Sequence, residues 1–305
     1  MSFSIEVRNL TKKYGPLTAV DDISFSVESG ETFGMLGPNG AGKTTTLEMI
    51  EGLKRPTSGT IIVEGLDVRK QANAVKSIIG VQLQTGAFFD SLNVVELIRT
   101  FAALYDRKVD PHQMLAEVQL TEKAKNTVKE LSGGQRQRLS IAVGLVNDPK
   151  VLFLDEPTTG LDPQARRHLW ELIKQIKARG KTVILTTHYM DEAEVLCDRI
   201  AVMDHAKIIA LDTTANLLAS SGVGTRIEFD AHTSLDDQTF QRLPGVGHLE
   251  RSNSTYRALS SDSQATLDAL FALGRGGNLK IEQLLVRRAT LEDVFLKLTG
   301  HELRE

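Results

Sequence analysis

The sequence predicts an α/β fold: a largely parallel sheet covered on both faces, interrupted by a helical insertion and followed by a small α+β appendage. Three observations carry this. Short apolar runs at Thr32–Leu36, Val151–Leu154 and Thr182–Thr186 alternate with amphipathic helical stretches. The first run leads into Gly37-Pro38-Asn39-Gly40-Ala41-Gly42-Lys43-Thr44, a G-x-x-x-x-G-K-[ST] phosphate loop at the start of a helix, which implies a P-loop NTPase core. The stretch from about 88 to 146 loses the strand rhythm and reads as mostly helical.

In chain order, Ser4–Val7 and Ile23–Val27 alternate apolar and polar residues as half-buried strands do. Thr44–Glu51 follows the phosphate loop as a helix that Gly52 stops. Within the insertion, Leu139, Ala142, Val143 and Val146 form a core-facing stripe on a helix that starts near Leu131-Ser132-Gly133-Gly134-Gln135. Leu169, Leu172, Ile173 and Ile176 give a second helix the same i, i+3, i+4, i+7 spacing. Ser220–Gly224 reads as a linker, which divides the chain into a domain over 1–220 and a smaller one over 223–305. In the smaller domain Arg226–Ala231 alternates like a strand, and Leu267, Leu270 and Phe271 suggest a helix. Leu291, Val294, Phe295 and Leu298 suggest a last helix, capped by Thr290 and Asp293 and ended by Gly300. Nothing in this domain suggests catalysis.

A chain of 305 residues with 41% hydrophobic residues has room for a large packed domain and a small one. Its net charge of −3 argues against a broad nucleic-acid-binding face. Cys197 is the only cysteine, so no intrachain disulfide forms, and it reads as a small packed hydrophobe. The N-terminus lacks a signal-peptide layout, and no apolar run approaches the ~20 residues that span a bilayer. The expectation is a chain soluble by itself, with any membrane role coming through a partner.

The loop chemistry follows from the charge of a nucleoside triphosphate. Gly37, Gly40 and Gly42, with Pro38, Asn39 and Ala41 between them, let backbone N–H groups turn inward around the phosphates, and the helix start adds partial positive charge. Lys43 is expected at the β/γ-phosphates, Thr44 on Mg²⁺ and Thr45 on an α-phosphate oxygen. Asp155 ends an apolar strand and is expected to hold Mg²⁺ through water, with Glu156 polarising the attacking water. Ser132, Gly133 and Gly134 offer a hydroxyl and close N–H groups at another helix start, an anion site with no phosphate loop nearby in sequence.

Taken in order, these motifs resemble the ATP-binding cassette (ABC) transporter ATPases over nearly all of residues 3–220. The resemblance implies ATP and Mg²⁺ as ligands and gives the remaining positions their roles. Tyr14 would stack on adenine, and His188 would hydrogen-bond the γ-phosphate. Gln84 would sense the γ-phosphate through Mg²⁺ or water; Gln82 is the alternative, because Val81–Gln84 lacks the aromatic and proline usual in that stretch. Ser132–Gln135 would cap the ATP held by a second copy, giving a head-to-tail homodimer. Asp162 would contact the opposite subunit, while its place before Pro163 also makes it a helix N-cap.

The family further implies a separate transmembrane permease, whose short cytoplasmic helix would dock near Gln84 and residues 86–100. That would put the chain in the cytoplasm, on the inner face of the membrane. The tail Thr290–Gly300 resembles the extension of ABC-2-type exporter ATPases, including drug-resistance ATPases of the daunorubicin-exporter kind, which implies export. Two other readings are an ABC ATPase that is structural or regulatory in a membrane complex without transport, and one acting on ribosomes or DNA. The single core and near-neutral charge disfavour the latter.

Overall fold

The computed structural model describes residues 3–82, 88, 89, 91–220, 224–233, 235–275, 279–288 and 290–299. Its two compact units part between Leu211 and Asp212. The boundary expected at 220–223 therefore falls one helix too late, since Thr214–Ser220 packs against Leu291–Thr299 in the second unit. Composition marks a Ser-Ser-Gly run, but the break is set by where a short helix buries its apolar side. Here Leu218 packs against Leu259.

In the first unit the central sheet runs Lys207–Asp212, Arg199–Asp204, Thr32–Leu36, Thr182–Thr187, Val151–Asp155, Ile79–Gln82. The last five strands are parallel. Because side chains alternate along a strand, Phe153 and Ile184 join the core on one face, and Leu152, Leu154, Val183 and Leu185 join the core on the other.

The first face is covered by helix Lys43–Ile50 and an antiparallel sheet ordered Leu17–Glu28, Phe3–Tyr14, Ser58–Val63, Leu66–Asp67. Phe25 of that sheet stacks on Phe33 of the central one, with ring centroids 5.2 Å apart. The second face is covered by helices Gly133–Gly144 and Pro163–Ala178, backed by Val94–Leu104 and Pro111–Glu117. Both predicted stripes, Leu139/Ala142/Val143/Val146 and Leu169/Leu172/Ile173/Ile176, are buried in that core.

The first two strands are far longer than alternation alone predicts. Their pairing shifts register between Val7 and Leu10 and again beyond, with Asn9 at φ 48° and Asp22 at φ 50°. Such bulges break the period of two while the ladder continues, so a pattern search ends early. Three central-sheet strands, Ile79–Gln82, Arg199–Asp204 and Lys207–Asp212, have no counterpart in the sequence-based expectation.

The second unit is an antiparallel sheet, Val246–Ser252, Thr255–Ser260, Thr225–Thr233, Leu279–Arg288, with helix Ser263–Arg275 sharing its core through Leu270. Phe229 and Tyr256 stack there at 5.4 Å. At the start of the last helix, Asp293 Oδ2 accepts from the Thr290 N–H at 2.8 Å and hydroxyl at 3.1 Å. The other oxygen of that buried carboxylate takes the Arg226 guanidinium at 2.9 Å.

Candidate active site

Parallel strands end on one edge of a sheet, and that is where side chains from distant sequence positions meet. Register makes the meeting specific: Thr186 lies beside Met35 on one side and Asp155 on the other. The phosphate loop, the Asp155-Glu156 pair and His188 therefore leave the sheet side by side.

The loop itself is shaped by absent side chains. A Cβ on Gly37 would lie 2.2 Å from the Met203 carbonyl oxygen, and one on Gly42 would lie 2.5 Å from that of Ala19. Gly42 also has φ +102°, a conformation other L-residues reach only with strain. Lys43 is buried and donates to the carbonyls of Gly37 at 2.7 Å and Pro38 at 3.1 Å, so its ammonium is held inside the curve of the loop.

Two carboxylates face this cation. Glu156 Oε1 lies 3.7 Å from Lys43 Nζ. Asp155 Oδ1 accepts from the hydroxyls of Thr44, at 3.2 Å, and Thr186. Burial pushes the Asp155 carboxyl above its ordinary range, opposed by the hydrogen bonds from Thr186 and Thr44. Burial lowers the Lys43 ammonium, opposed by Glu156 and Asp155. Two desolvated carboxylates around one ammonium leave the site short of positive charge, and oxygen donors suit a hard cation. Thr44 Oγ1 and Asp155 Oδ1 are thus a fitting pair for Mg²⁺. Among the described residues no three His, Cys, Asp or Glu side chains converge into an all-protein cage.

Glu156 is held tightly for a residue at a strand end. Its backbone sits at φ 46°, a left-handed conformation that costs an L-residue about 1–2 kcal/mol. Its N–H donates to Thr186 O at 3.2 Å and Oγ1 at 3.0 Å, which offsets that strain. Its Oε2 accepts from the Thr159 hydroxyl at 3.2 Å and lies 3.4 Å from His188 Nδ1. A basic ring and a carboxylate therefore share one buried spot beside the phosphate loop.

The other predicted residues form a separate group. Ser132 caps helix Gly133–Gly144: its Oγ accepts from Gln135 N–H at 3.3 Å, and Gln135 Oε1 accepts from Ser132 N–H at 2.9 Å. Asp162 caps helix Pro163–Ala178, its Oδ1 accepting from the N–H groups of Gln164 and Ala165, both at 2.9 Å. Both caps line one open cavity of about 210 Å³, with Gly134 close against Ala165 and no phosphate-loop residue in the lining. A nucleotide in the loop and an anion at Ser132–Gln135 would occupy different places on one chain.

Residues 20–159 match the family described as ABC transporter. The chain is 36% identical over 311 residues to the linearmycin resistance ATP-binding protein LnrL of Bacillus subtilis (strain 168), spanning 99% of this chain and 100% of that one. This chain belongs to the ABC transporter family. It is an ATP-binding subunit, and its reaction is ATP hydrolysis. The ATPase is also 40% identical over 311 residues to the Nod factor export ATP-binding protein I of Burkholderia lata, spanning 99% and 98% of the two chains. Among solved structures, the dimeric post-hydrolysis state of the ATP-binding cassette MJ0796 bound to ADP and Pi has a TM-score of 0.63 at 25% identity, covering 68% of this chain and 98% of that one.

Three further sequence expectations concern Tyr14, Gln82 and Gln84. Tyr14 ends its strand 42% exposed, with Lys12 Nζ 4.7 Å and Lys54 Nζ 5.9 Å from its ring centroid. Gln82 is fully buried at the end of its strand, in register with Leu154, one residue before Asp155. Gln84 lies outside the described residues.

Sequence reasoning missed Thr186 and Thr159, which orient the two acidic residues; a threonine in an apolar strand or a turn has nothing local to set it apart. Cys197 packs against the core on Gly34, and burial raises its thiol pKa well above the usual range, consistent with an inert packed side chain.

Proposed function

We propose that this ATPase powers export through a separate membrane permease, with ATP drawing two copies together head-to-tail. The observation that carries the catalytic part is the Glu156 carboxylate, held by Thr159, 3.4 Å from His188 and 3.7 Å from Lys43. In this reading the loop N–H groups around Gly37, Gly40 and Gly42 cradle the phosphates, the Lys43 ammonium reaches the β- and γ-phosphates, Thr45 bonds an α-phosphate oxygen, and Tyr14 stacks on adenine. Thr44 would hold Mg²⁺, with Asp155 acting through water, and Gln84 would sense the γ-phosphate through the ion or water. When bound, the ion would offset the negative charge of the phosphates. Glu156 polarises the attacking water, and His188 steadies it against the γ-phosphate.

The split between the two groups of residues supports the dimer. Ser132–Gln135 and Asp162 face outward at two helix starts, apart from the loop lining, as suits contacts to ATP held by a second copy. Support for a dimer also comes from the similar cassette whose solved structure is described as dimeric and bound to ADP and Pi. No helix among the described residues is long and apolar enough to cross a membrane, so in this reading the chain attaches to the cytoplasmic face through the permease. Export is supported by the relatives named for linearmycin resistance and Nod factor export.

The test is Glu156→Gln. It should bind ATP normally, accumulate as a dimer by light scattering, and hydrolyse about 10²–10³ times more slowly. Undiminished hydrolysis would remove Glu156 from the mechanism. For transport, the chain co-purified with its membrane partner should move substrate into vesicles in an ATP-dependent way. Hydrolysis without movement would favour a structural or regulatory role instead.

A further inference from the structure

The His188 ring is largely buried, yet its Nδ1 is not fixed by a hydrogen bond. That atom lies 3.4 Å from Glu156 Oε2, outside hydrogen-bond geometry with any described residue. The contact that orients the ring is aromatic. Consecutive side chains on an extended strand point to opposite faces. His188 and Tyr189, just past strand Thr182–Thr187, instead bring their ring centroids within 4.2 Å, tilted by 42°. Thr187 makes the turn that allows this, its Oγ1 accepting from the Tyr189 N–H at 2.9 Å.

Tyr189 is in turn held from a second helix. Arg166, in the first turn of Pro163–Ala178, places the centre of its guanidinium 4.1 Å from the Tyr189 ring centroid. Its Nη1 lies 3.7 Å from Asp191 Oδ2, and its buried Nε has no acceptor among the described residues. A partly desolvated guanidinium with few acceptors is attracted to the electron-rich face of a ring. One turn further along, Trp170 Nε1 donates to Oε1 of the buried Glu192 at 3.2 Å. Arg166 and Trp170, four residues apart on one helix face, thus clip the start of helix Met190–Leu196 at Tyr189, Asp191 and Glu192.

We infer that Tyr189 and Arg166 are positioning residues for His188. The Tyr189 ring is the wall on which the imidazole rests, and the Arg166 cation pins that ring from helix Pro163–Ala178. Without the wall the imidazole turns about its side-chain bonds, and the nitrogen facing Glu156 is no longer held there. The contact is made by the ring, so the phenol hydroxyl is dispensable. The inference rests on the hydrolytic role proposed for His188.

Steady-state ATPase of the full chain tests it, with folding of each variant checked by circular dichroism. Tyr189→Leu, which removes the ring, and Arg166→Met, which removes the cation but keeps the stem, should each lower kcat about tenfold with KM for ATP changed less than about twofold. Tyr189→Phe, which keeps the ring, should stay within about twofold of wild type. Combined with His188→Ala, neither Tyr189→Leu nor Arg166→Met should slow turnover further, because the side chain they position is already gone. If Arg166→Met does not fold, Arg166→Gln takes its place. Wild-type kcat in a folded Tyr189→Leu or Arg166→Met would overturn the inference, as would a Tyr189→Phe as slow as Tyr189→Leu. Losses that multiply with that of His188→Ala would also overturn it, leaving the role of His188 intact. Undiminished turnover in His188→Ala would overturn the reading beneath it as well.

Discussion

Glu51 ends the helix that begins at Lys43. It is 2% exposed, and neither carboxylate oxygen has a hydrogen-bond partner among the described residues. Burial, with the nearby charges of Asp155 and Glu48, raises its pKa from 4.5 to about 8. Between those values the native chain holds a proton that the unfolded chain has lost. Stability contributed by this proton is therefore fully present below pH 4.5 and falls as pH rises toward 8.

Each pH unit in that window is worth about 1.4 kcal/mol, so the penalty reaches about 3 kcal/mol at pH 7 and about 5 above pH 8. Glu51→Gln has nearly the same shape and nothing to titrate. Its extra N–H donor adds a cost that does not change with pH. The stability difference between variant and wild type should therefore shift in favour of the variant by about 4–5 kcal/mol between pH 4.5 and 8.5. Trp170, the only tryptophan, lies in the same unit as Glu51, so urea unfolding followed by its fluorescence reads the relevant part of the molecule. Groups that titrate equally in both chains cancel. A difference that stays within about 1 kcal/mol across the window would refute the reasoning.

Other perturbations have outcomes as definite. Gly42→Ala meets both φ +102° and a carbonyl 2.5 Å from the new Cβ, so the loop must deform; ATP affinity by fluorescent-nucleotide titration should drop at least tenfold, about 1.4 kcal/mol. Arg226→Ala leaves the buried Asp293 carboxylate without its cation at 2.9 Å, costing about 3–5 kcal/mol. That loss should appear as faster amide hydrogen exchange in Leu291–Thr299.

The legible parts of this protein were those whose chemistry is local. The phosphate loop is contiguous, and the glycine spacing that lets its backbone curl can be read without a fold. The same holds for the caps at Ser132 and Asp162, where a side chain bonds N–H groups two or three residues ahead. The buried stripes of Gly133–Gly144 and Pro163–Ala178 were legible because one helix face repeats over many residues. Ile79–Gln82 and Arg199–Asp204 were not, because an apolar run of four reads equally as strand or helix. The long ribbon from Phe3 to Glu28 was cut short at its bulges, where alternation breaks although pairing continues.

By itself the sequence determined that a triphosphate is bound, where its loop lies and which acidic residues accompany it, since each signal spans only a few neighbouring residues. Only the tertiary structure decided how these act together. Strand register puts Thr186 beside Asp155 and hands its hydroxyl to that carboxylate, and a left-handed turn at Glu156 brings its side chain to His188. Burial gave Glu51 and Glu192 their raised pKa values. Desolvation and long-range pairing depend on which distant segments pack together, and no window of sequence contains that.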